Sequence, residues 1–124
     1  MPQDFHELTV WQRAIDLTVC IYQLTQKYPK EEIYGLVSQL RRVSVSIASN
    51  IAEGRGRLNP GEFRQFLGIA LGSTFEIQTQ LLIAQKLGLG DEIANKEAAA
   101  LCNEVSKMLT SFIQTLSSKP KAKS

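Results

Sequence analysis

The sequence is poor in the side chains that catalysis and metal binding most often use. It has one histidine, His6, and two cysteines, Cys20 and Cys102, among 124 residues. No Cys-x-x-Cys, Glu-x-x-His or Gly-x-Ser-x-Gly run occurs, and no glycine loop follows a strand pattern. These absences argue against a hydrolase and against a di-metal helical bundle. The sequence therefore predicts no catalytic residues, no metal site, no cofactor and no small-molecule substrate, and hence a protein that is not an enzyme.

Long uncharged hydrophobic runs are also missing, because Gln, Ser and Thr interrupt the apolar stretches. We therefore expect no membrane-spanning segment. The first four residues are polar and acidic, which predicts no signal peptide. Both cysteines lie within apolar helical patterns, as small buried side chains do. A cytoplasmic location, with its reducing environment, is the natural expectation.

An excess of either charge is absent as well. The formal net charge is +2, and three of the positive charges are the tail lysines Lys119, Lys121 and Lys123. Without those three, the rest of the chain carries −1. Any basic surface is therefore local, and the protein as a whole is not predicted to be a strong polyanion binder.

What the sequence does contain is helical periodicity along nearly its whole length. Apolar or small residues recur at three- and four-residue steps in four segments. They are Val10, Ala14, Leu17, Ile21, Leu24 and Tyr28; Leu36, Leu40, Val43, Ile47 and Ile51; Phe63, Phe66, Ala70, Ser73, Ile77, Leu81 and Ala84; and Ala94, Ala98, Leu101, Val105, Met108, Phe112 and Leu116. Short connections favour antiparallel neighbours, so the predicted fold class is all-α, an antiparallel up-down-up-down four-helix bundle. We predict the bundle over residues 1–118 and a disordered basic tail over residues 119–124.

Helix boundaries are signalled by capping residues. Pro29 is expected to stop the first helix. Asn59 followed by Pro60 is typical of the start of a helix, with Asn as the cap and Pro at the first position. Gly88 suits the position just after the third helix, and Asp91 is predicted to cap the fourth.

Arginines are concentrated in one part of the chain. Five of the six lie in one stretch, as Arg41, Arg42, Arg55, Arg57 and Arg64. Their guanidinium groups could form a solvated helix face, pair with acidic residues of another subunit, or contact the phosphates of a nucleic acid. No aromatic residue lies between Gln39 and Leu58, so stacking on single-stranded bases is not expected there.

Polar residues on the second and third predicted helices form a possible cluster. Asn50 and Glu53 share a face of the second helix, and an antiparallel neighbour could bring them near Ser73 and Glu76. The cluster could be a paired-carboxylate acid/base site or a network that sets helix register or subunit contacts. Because no second polar cluster is present to bind a substrate, we favour the network.

The second helix also has small and apolar residues on more than one face. Its core stripe leaves Val37, Val45, Ala48 and Ala52 in need of a partner, and another subunit is the simplest one. Arg41 lies next to this second face, where an acidic neighbour could pair with it. The pattern therefore predicts a homo-oligomer with Ala48 at its seam.

Short runs from Leu8 to Gly88 also match a known family in order and spacing. They are Val10-Trp11-Gln12-Arg13-Ala14, Tyr34-Gly35-Leu36, Gln39-Leu40-Arg41-Arg42, Ser46-Ile47, Asn50-Ile51-Ala52-Glu53-Gly54, Phe66-Leu67, and Gly72-Ser73 with Glu76. With these runs the chain resembles the bacterial four helix bundle protein family, also called 23S rRNA-intervening sequence proteins. Ala48 stands where many relatives are expected to have proline.

The resemblance implies a four-helix bundle that assembles into a ring-like homopentamer. A related branch, the accessory variability determinants of diversity-generating retroelements, works with a reverse transcriptase and binds nucleic acid. We therefore expect a non-enzymatic scaffold or accessory module associated with RNA or a ribonucleoprotein. The alternative is a protein–protein adaptor whose arginine-rich helix serves only oligomer assembly.

Overall fold

A computed structural model describes residues 4–117, which form four long helices. Helix α1 is Thr9–Thr25, α2 is Ser38–Gly56, α3 is Pro60–Lys86 and α4 is Glu92–Ser117. Short 3-10 turns, Phe5–Glu7 and Lys30–Glu32, and a π-helical turn, Ile33–Val37, precede α1 and α2. Within this part of the chain no residue is in a strand, so the all-α fold class is confirmed. The predicted basic tail, residues 119–124, lies outside the described residues.

Contacts between side chains place neighbouring helices antiparallel. Each helix packs mainly against two others, so that α1 and α3 occupy opposite corners of the bundle, as do α2 and α4. In each adjacent pair, contacts later in one helix fall earlier in the other, as expected for an up-down-up-down order. The pairs are Thr18 with Ser44 and Thr25 with Arg41; Ser46 with Ser73 and Gly54 with Phe66; Cys102 with Thr74 and Phe112 with Phe63; and Arg13 with Glu104 and Tyr28 with Asn95.

The core confirms the predicted stripe in α1 and most of that in α2, where Leu36 is only partly buried, and it corrects those in α3 and α4. All six residues of the first stripe are buried. In α3 the core also takes in Leu67 and Thr74, and in α4 it takes in Cys102 and Leu109. Burial of Thr74 in an apolar core is tolerated because its hydroxyl donates a hydrogen bond to the Leu71 carbonyl at 2.6 Å. The predicted α4 residues Leu101, Met108, Phe112 and Leu116 are only partly buried.

Helix α3 has at both ends the capping residues that the sequence predicts. The Asn59 side chain accepts a hydrogen bond from the Glu62 amide at 3.0 Å. Gly88 follows the helix with φ of +72°, a conformation that glycine adopts without strain. The amide of Leu89 then donates to the Ala84 carbonyl at 2.9 Å, which completes a Schellman ending.

The connection between α1 and α2 is held by a buried tyrosine. Helix α1 ends at Thr25, before the predicted stop at Pro29. Tyr28 then packs back into the bundle, where its hydroxyl donates to Asn95 Oδ1 at 2.7 Å. Asn95 in turn donates to the Leu89 carbonyl at 2.7 Å. This chain of hydrogen bonds ties both inter-helix connections at this end of the bundle to each other.

Among the described residues, one helix, α3, has the length and apolar character needed to cross a membrane. Its mean hydropathy over 18 residues is 1.3, and 33% of that window is buried. A core helix of a bundle satisfies the same criterion, so the observation is weak support for a span. It does show that much of the apolar surface of α3 lies outside the core.

Candidate functional site

The structure divides the five clustered arginines into two groups. Helix α2 rises about 1.5 Å per residue, so Arg41 and Arg55 lie about 21 Å apart along its axis. Arg41 and Arg42 are in the first turn and a half of α2, whereas Arg55, Arg57 and Arg64 surround the turn into α3. The five arginines that cluster in the sequence therefore do not form one continuous surface in the structure.

Arg41 makes three contacts within its own chain. Its Nε donates to Thr25 Oγ1 at 2.9 Å and its Nη2 to the Tyr22 carbonyl at 3.4 Å. The guanidinium carbon lies 4.6 Å from the centre of the Tyr22 ring, a cation–π distance. Arg41 thus fastens α2 to the end of α1. Arg42 is exposed and donates to Gln39 Oε1 at 3.1 Å.

The second arginine group lies beside aromatic rings that the sequence analysis did not connect with it. Arg55 lies 5.8 Å from the Phe63 ring centre and Arg57 5.1 Å from that of Phe66. Both rings come from α3, across the turn. Arg57 also forms an ion pair with Glu53 at 3.1 Å, an exposed contact that contributes at most about 1 kcal/mol. This end of the bundle therefore brings arginines and aromatic rings together, with Arg57 exposed and Arg55 partly buried.

Arg64 completes this group on α3. Its side chain is exposed and makes no hydrogen bond or ion pair with another residue of the described segment. Of the five candidate arginines it is the one with no intrachain contact to break before binding a phosphate.

The predicted polar cluster is only partly assembled. Ser46 and Ser73 share a hydrogen bond of 2.8 Å across α2 and α3, and Asn50 Nδ2 donates to the Ser46 carbonyl at 2.7 Å. Ser46, on the same face of α2 as Asn50, is the residue that links Asn50 to Ser73. Glu76 is exposed and makes no hydrogen bond or ion pair with another described residue.

The suggested proximity of Glu53 to Glu76 is wrong, and helix register is the reason. Gly54 is so close to Phe66 that a Cβ on it would lie 2.5 Å from the Phe66 Cβ. Glu53 is therefore level with Phe66, and Glu76 lies ten residues, or about 15 Å, further along α3. No paired-carboxylate site forms between these two side chains.

Ala48 is already covered by its own chain, contrary to its predicted place at a subunit seam. It is 6% exposed, and Val37 is 5% exposed. Ser44, one turn earlier on α2, contacts helix α1, because Thr18 Oγ1 donates to the Ser44 carbonyl at 3.0 Å. Val45 and Ala52 remain at least partly accessible, so the second face of α2 is narrower than predicted.

Exposed apolar side chains are instead most numerous on α3. Four large ones lie on α3, three lie on α1 and one lies on α2; they are Ile69, Phe75, Leu82 and Ile83, then Ile15, Val19 and Tyr22, and finally Val45. Sequence analysis missed the α3 group. The signal that could have revealed it is charge depletion, because Glu76 is the one charged residue between Arg64 and Lys86.

The described part of the chain has no constellation suited to catalysis. Within residues 4–117 no group of three or more His, Cys, Asp or Glu side chains could hold a metal ion. Burial raises the pKa of the Cys102 thiol to about 12, so it is protonated and unreactive at neutral pH. An apolar groove at the arginine-rich end is lined by Leu8, Arg55, Leu58, Asn59, Pro60, Phe63, Phe112 and Leu116, without a nucleophile and its base.

Comparison with known proteins agrees with this architecture. The profile of the 23S rRNA-intervening sequence protein family matches residues 6–111. The fold is also similar to that of a protein of unknown function from the S23 ribosomal protein family of Bacteroides thetaiotaomicron, solved by crystallography. That protein is 22% identical, with a TM-score of 0.80 over 91% of this chain and 100% of the other. A comparison with curated proteins found no match.

Proposed function

Because this chain belongs to the 23S rRNA-intervening sequence protein family, we propose that it is a non-enzymatic, oligomeric scaffold that works with RNA or a ribonucleoprotein. The proposal includes a cytoplasmic location and a closed homo-oligomer, with five copies implied by the resemblance of the sequence to the family. It assigns no catalytic step to the protein.

The observation that carries the oligomer is the exposed apolar surface of α3. Phe75 and Leu82 are 51% and 52% exposed, on a helix whose opposite side already fills the core. Apolar side chains concentrated on one outward helix face mark a surface that binds a partner. A bundle with a second apolar face of this kind is suited to self-assembly.

RNA binding is supported by the arginines around the α2–α3 turn. Arg55, Arg57 and Arg64 lie within one end of the bundle, and arginine binds phosphate through its planar fork of donors. In a closed oligomer this group would be repeated in every copy. Several weak phosphate contacts would then act together and raise the overall affinity.

A purely protein–protein adaptor is the second candidate. The contacts of Arg41 favour it, since this arginine is held by Thr25 and Tyr22 and serves packing. Arg57 is likewise engaged by Glu53. On this alternative the arginines stabilise the bundle and its assembly and bind no nucleic acid.

Salt-dependent RNA binding distinguishes the two candidates. We expect the wild-type protein to bind a mixed-sequence single-stranded RNA with an affinity that falls steeply with salt, measured by fluorescence anisotropy. Replacing Arg55, Arg57 and Arg64 with Gln should lower the slope of log affinity against log salt by about 2, at about 0.7 for each lost contact. The matched control replaces Lys27, Lys96 and Lys107 with Gln and should keep the slope. Absence of binding at low salt, or equal losses in both variants, would reject the RNA role and leave the adaptor.

Light scattering at micromolar concentration tests the oligomer separately. The expected mass is a multiple of the 13.8 kDa chain, with five copies as the specific expectation. A monomer would refute the assembly part of the proposal whatever the RNA measurement shows.

A further inference from the structure

We propose that copies of this chain assemble head to tail, with the outer face of α3 seated against the α1–α2 face of the next copy. Glu76 of the first copy pairs with Arg41 of the second across this contact. The inference rests on the proposed function, because it names the two surfaces and the ion pair that build the oligomer.

The outer face of α3 has the spacing of a helix-packing surface. Gly68, Gly72, Phe75, Thr79 and Leu82 follow each other at alternating four- and three-residue steps, so they share one outward stripe. A Cβ placed on either glycine would meet nothing within 4 Å. The first half of the stripe is therefore a shallow depression, and the second half carries two large, half-exposed side chains.

The α1–α2 face supplies bulky side chains that suit this surface. Ile15, Val19 and Tyr22 project from α1 at helical spacing, and Val45 lies on the adjacent helix α2. All four are between 38% and 50% exposed. A helix placed over the groove between α1 and α2 would contact all four side chains over about 10 Å of its length.

Charge is depleted from both faces and retained on α4. Residues 17–25 of α1 and 43–52 of α2 contain no charged residue, and residues 65–85 of α3 contain only one, Glu76. The exposed positions of α4 carry Glu92, Lys96, Glu97, Glu104 and Lys107. Because the centres of protein interfaces are depleted of charge, α1, α2 and α3 have the composition of contact surfaces and α4 that of a solvated one.

The one carboxylate on the α3 face needs a cation. Glu76 makes no hydrogen bond or ion pair with another described residue, so burying it against an apolar partner would be costly. Arg41 lies at the edge of the α1–α2 face and uses Nε and Nη2 for its intrachain hydrogen bonds. Its Nη1 is left to donate to a carboxylate. The two faces are therefore complementary in charge as well as in shape.

The area available on α3 is about half of that of a stable interface. The helix has 27 residues, which is a length of about 40 Å, and its diameter with side chains is roughly 10 Å. The groove that receives it is no longer than α2, which has 19 residues and is about 28 Å long, so seating half of the circumference over that length would bury on the order of 450 Å² on α3. Typical stable interfaces bury roughly 800 Å² per partner, so contacts beside α3 must supply the remainder.

The arrangement of the helices makes this contact heterologous. Since α1 and α3 lie at opposite corners, each bundle offers two different surfaces and has room for two neighbours. Contacts between unlike surfaces generate closed rings when the rotation between copies permits. A ring of five requires such contacts, because an odd cyclic assembly has no twofold interface.

Gly72→Gln is the variant that tests the α3 face. Its side chain would project into open space, and Gln favours a helix more than Gly does, so the monomer should fold with an unchanged or higher melting temperature. The assembly should dissociate, and its mass by light scattering should fall to 13.8 kDa. The matched control, Ala100→Gln, adds the same amide group at an exposed position of α4 and should keep the wild-type mass.

Charge reversal tests the ion pair. We expect Glu76→Arg to dissociate the oligomer, and the double variant Glu76→Arg with Arg41→Glu to restore it. The melting temperature of Arg41→Glu is recorded alongside, because Arg41 also packs within the chain. If the Gly72→Gln and Glu76→Arg variants both keep the mass of the wild-type oligomer, this inference is wrong and the proposed scaffold function is unaffected. If the wild-type protein is a monomer, both the inference and the proposed oligomeric scaffold are wrong.

Discussion

Gly54 is a position where a single added methyl group should weaken the contact between α2 and α3. It is buried where α2 crosses α3, and a Cβ there would lie 2.5 Å from Phe66 Cβ and 3.1 Å from Phe63 Cδ1. Carbon atoms in contact are normally about 3.5–4.0 Å apart. The Phe66 Cβ is attached to the α3 backbone and cannot rotate away, so Gly54→Ala must push the two helices apart by about 1 Å.

The expected cost follows from two opposing effects. Overpacking of a well-packed site costs about 1–3 kcal/mol, and backbone-attached neighbours place Gly54→Ala at the upper end of that range. Ala is favoured over Gly within a helix by about 1 kcal/mol, which offsets part of the loss. The net result should be a free energy of unfolding lower by about 2 kcal/mol. For a domain of this size that corresponds to a melting temperature roughly 8 °C lower.

Gly56→Ala is the matched control two residues further along the same helix. A Cβ at Gly56 meets nothing within 4 Å, so this variant should be as stable as the wild type or more stable by up to about 1 kcal/mol. Urea unfolding followed by circular dichroism, at one protein concentration, gives both values. If the urea midpoints of Gly54→Ala and Gly56→Ala are the same, then α2 and α3 do not approach each other as closely at Gly54 as the structure shows.

Three further predictions concern stability. Tyr28→Phe leaves the buried Asn95 Oδ1 without its donor and should cost about 1–3 kcal/mol in urea unfolding, and an unchanged midpoint would refute the hydrogen bond. Burial raises the pKa of Tyr28 and of Cys102 to about 12, from ordinary values of 10.0 and 9.0. The two neutral groups therefore contribute fully to the free energy of unfolding below about pH 9, and this contribution should be lost as the pH rises towards 12. A melting temperature that does not change between pH 9 and pH 12 would contradict this prediction. Asn59→Ala removes the α3 cap and should cost about 1 kcal/mol, whereas Asn103→Ala, at an exposed position of α4, should be nearly neutral in the same assay.

The candidate surfaces were only partly predictable from sequence. Clustering of arginines along the chain indicated one patch, but about 21 Å of helix separates Arg41 from Arg55. Ala48 met the criteria for a seam residue, but it is buried within the bundle of its own chain. In both cases the sequence shows which residue types are present, while the neighbouring helix decides which of them solvent or another subunit can reach.

Local patterns by themselves determined the four helices, the caps of α3 and the core stripe of α1. A cap such as Asn59 or Gly88 depends on residues within one turn, and burial at three- and four-residue steps depends on helix geometry alone. Only tertiary structure decided the α2–α3 register, because one close contact between Gly54 and Phe66 sets it. That register separates Glu53 from Glu76. The assembled bundle also leaves the apolar outer face of α3 uncovered, because each helix can bury only the side that contacts its neighbours.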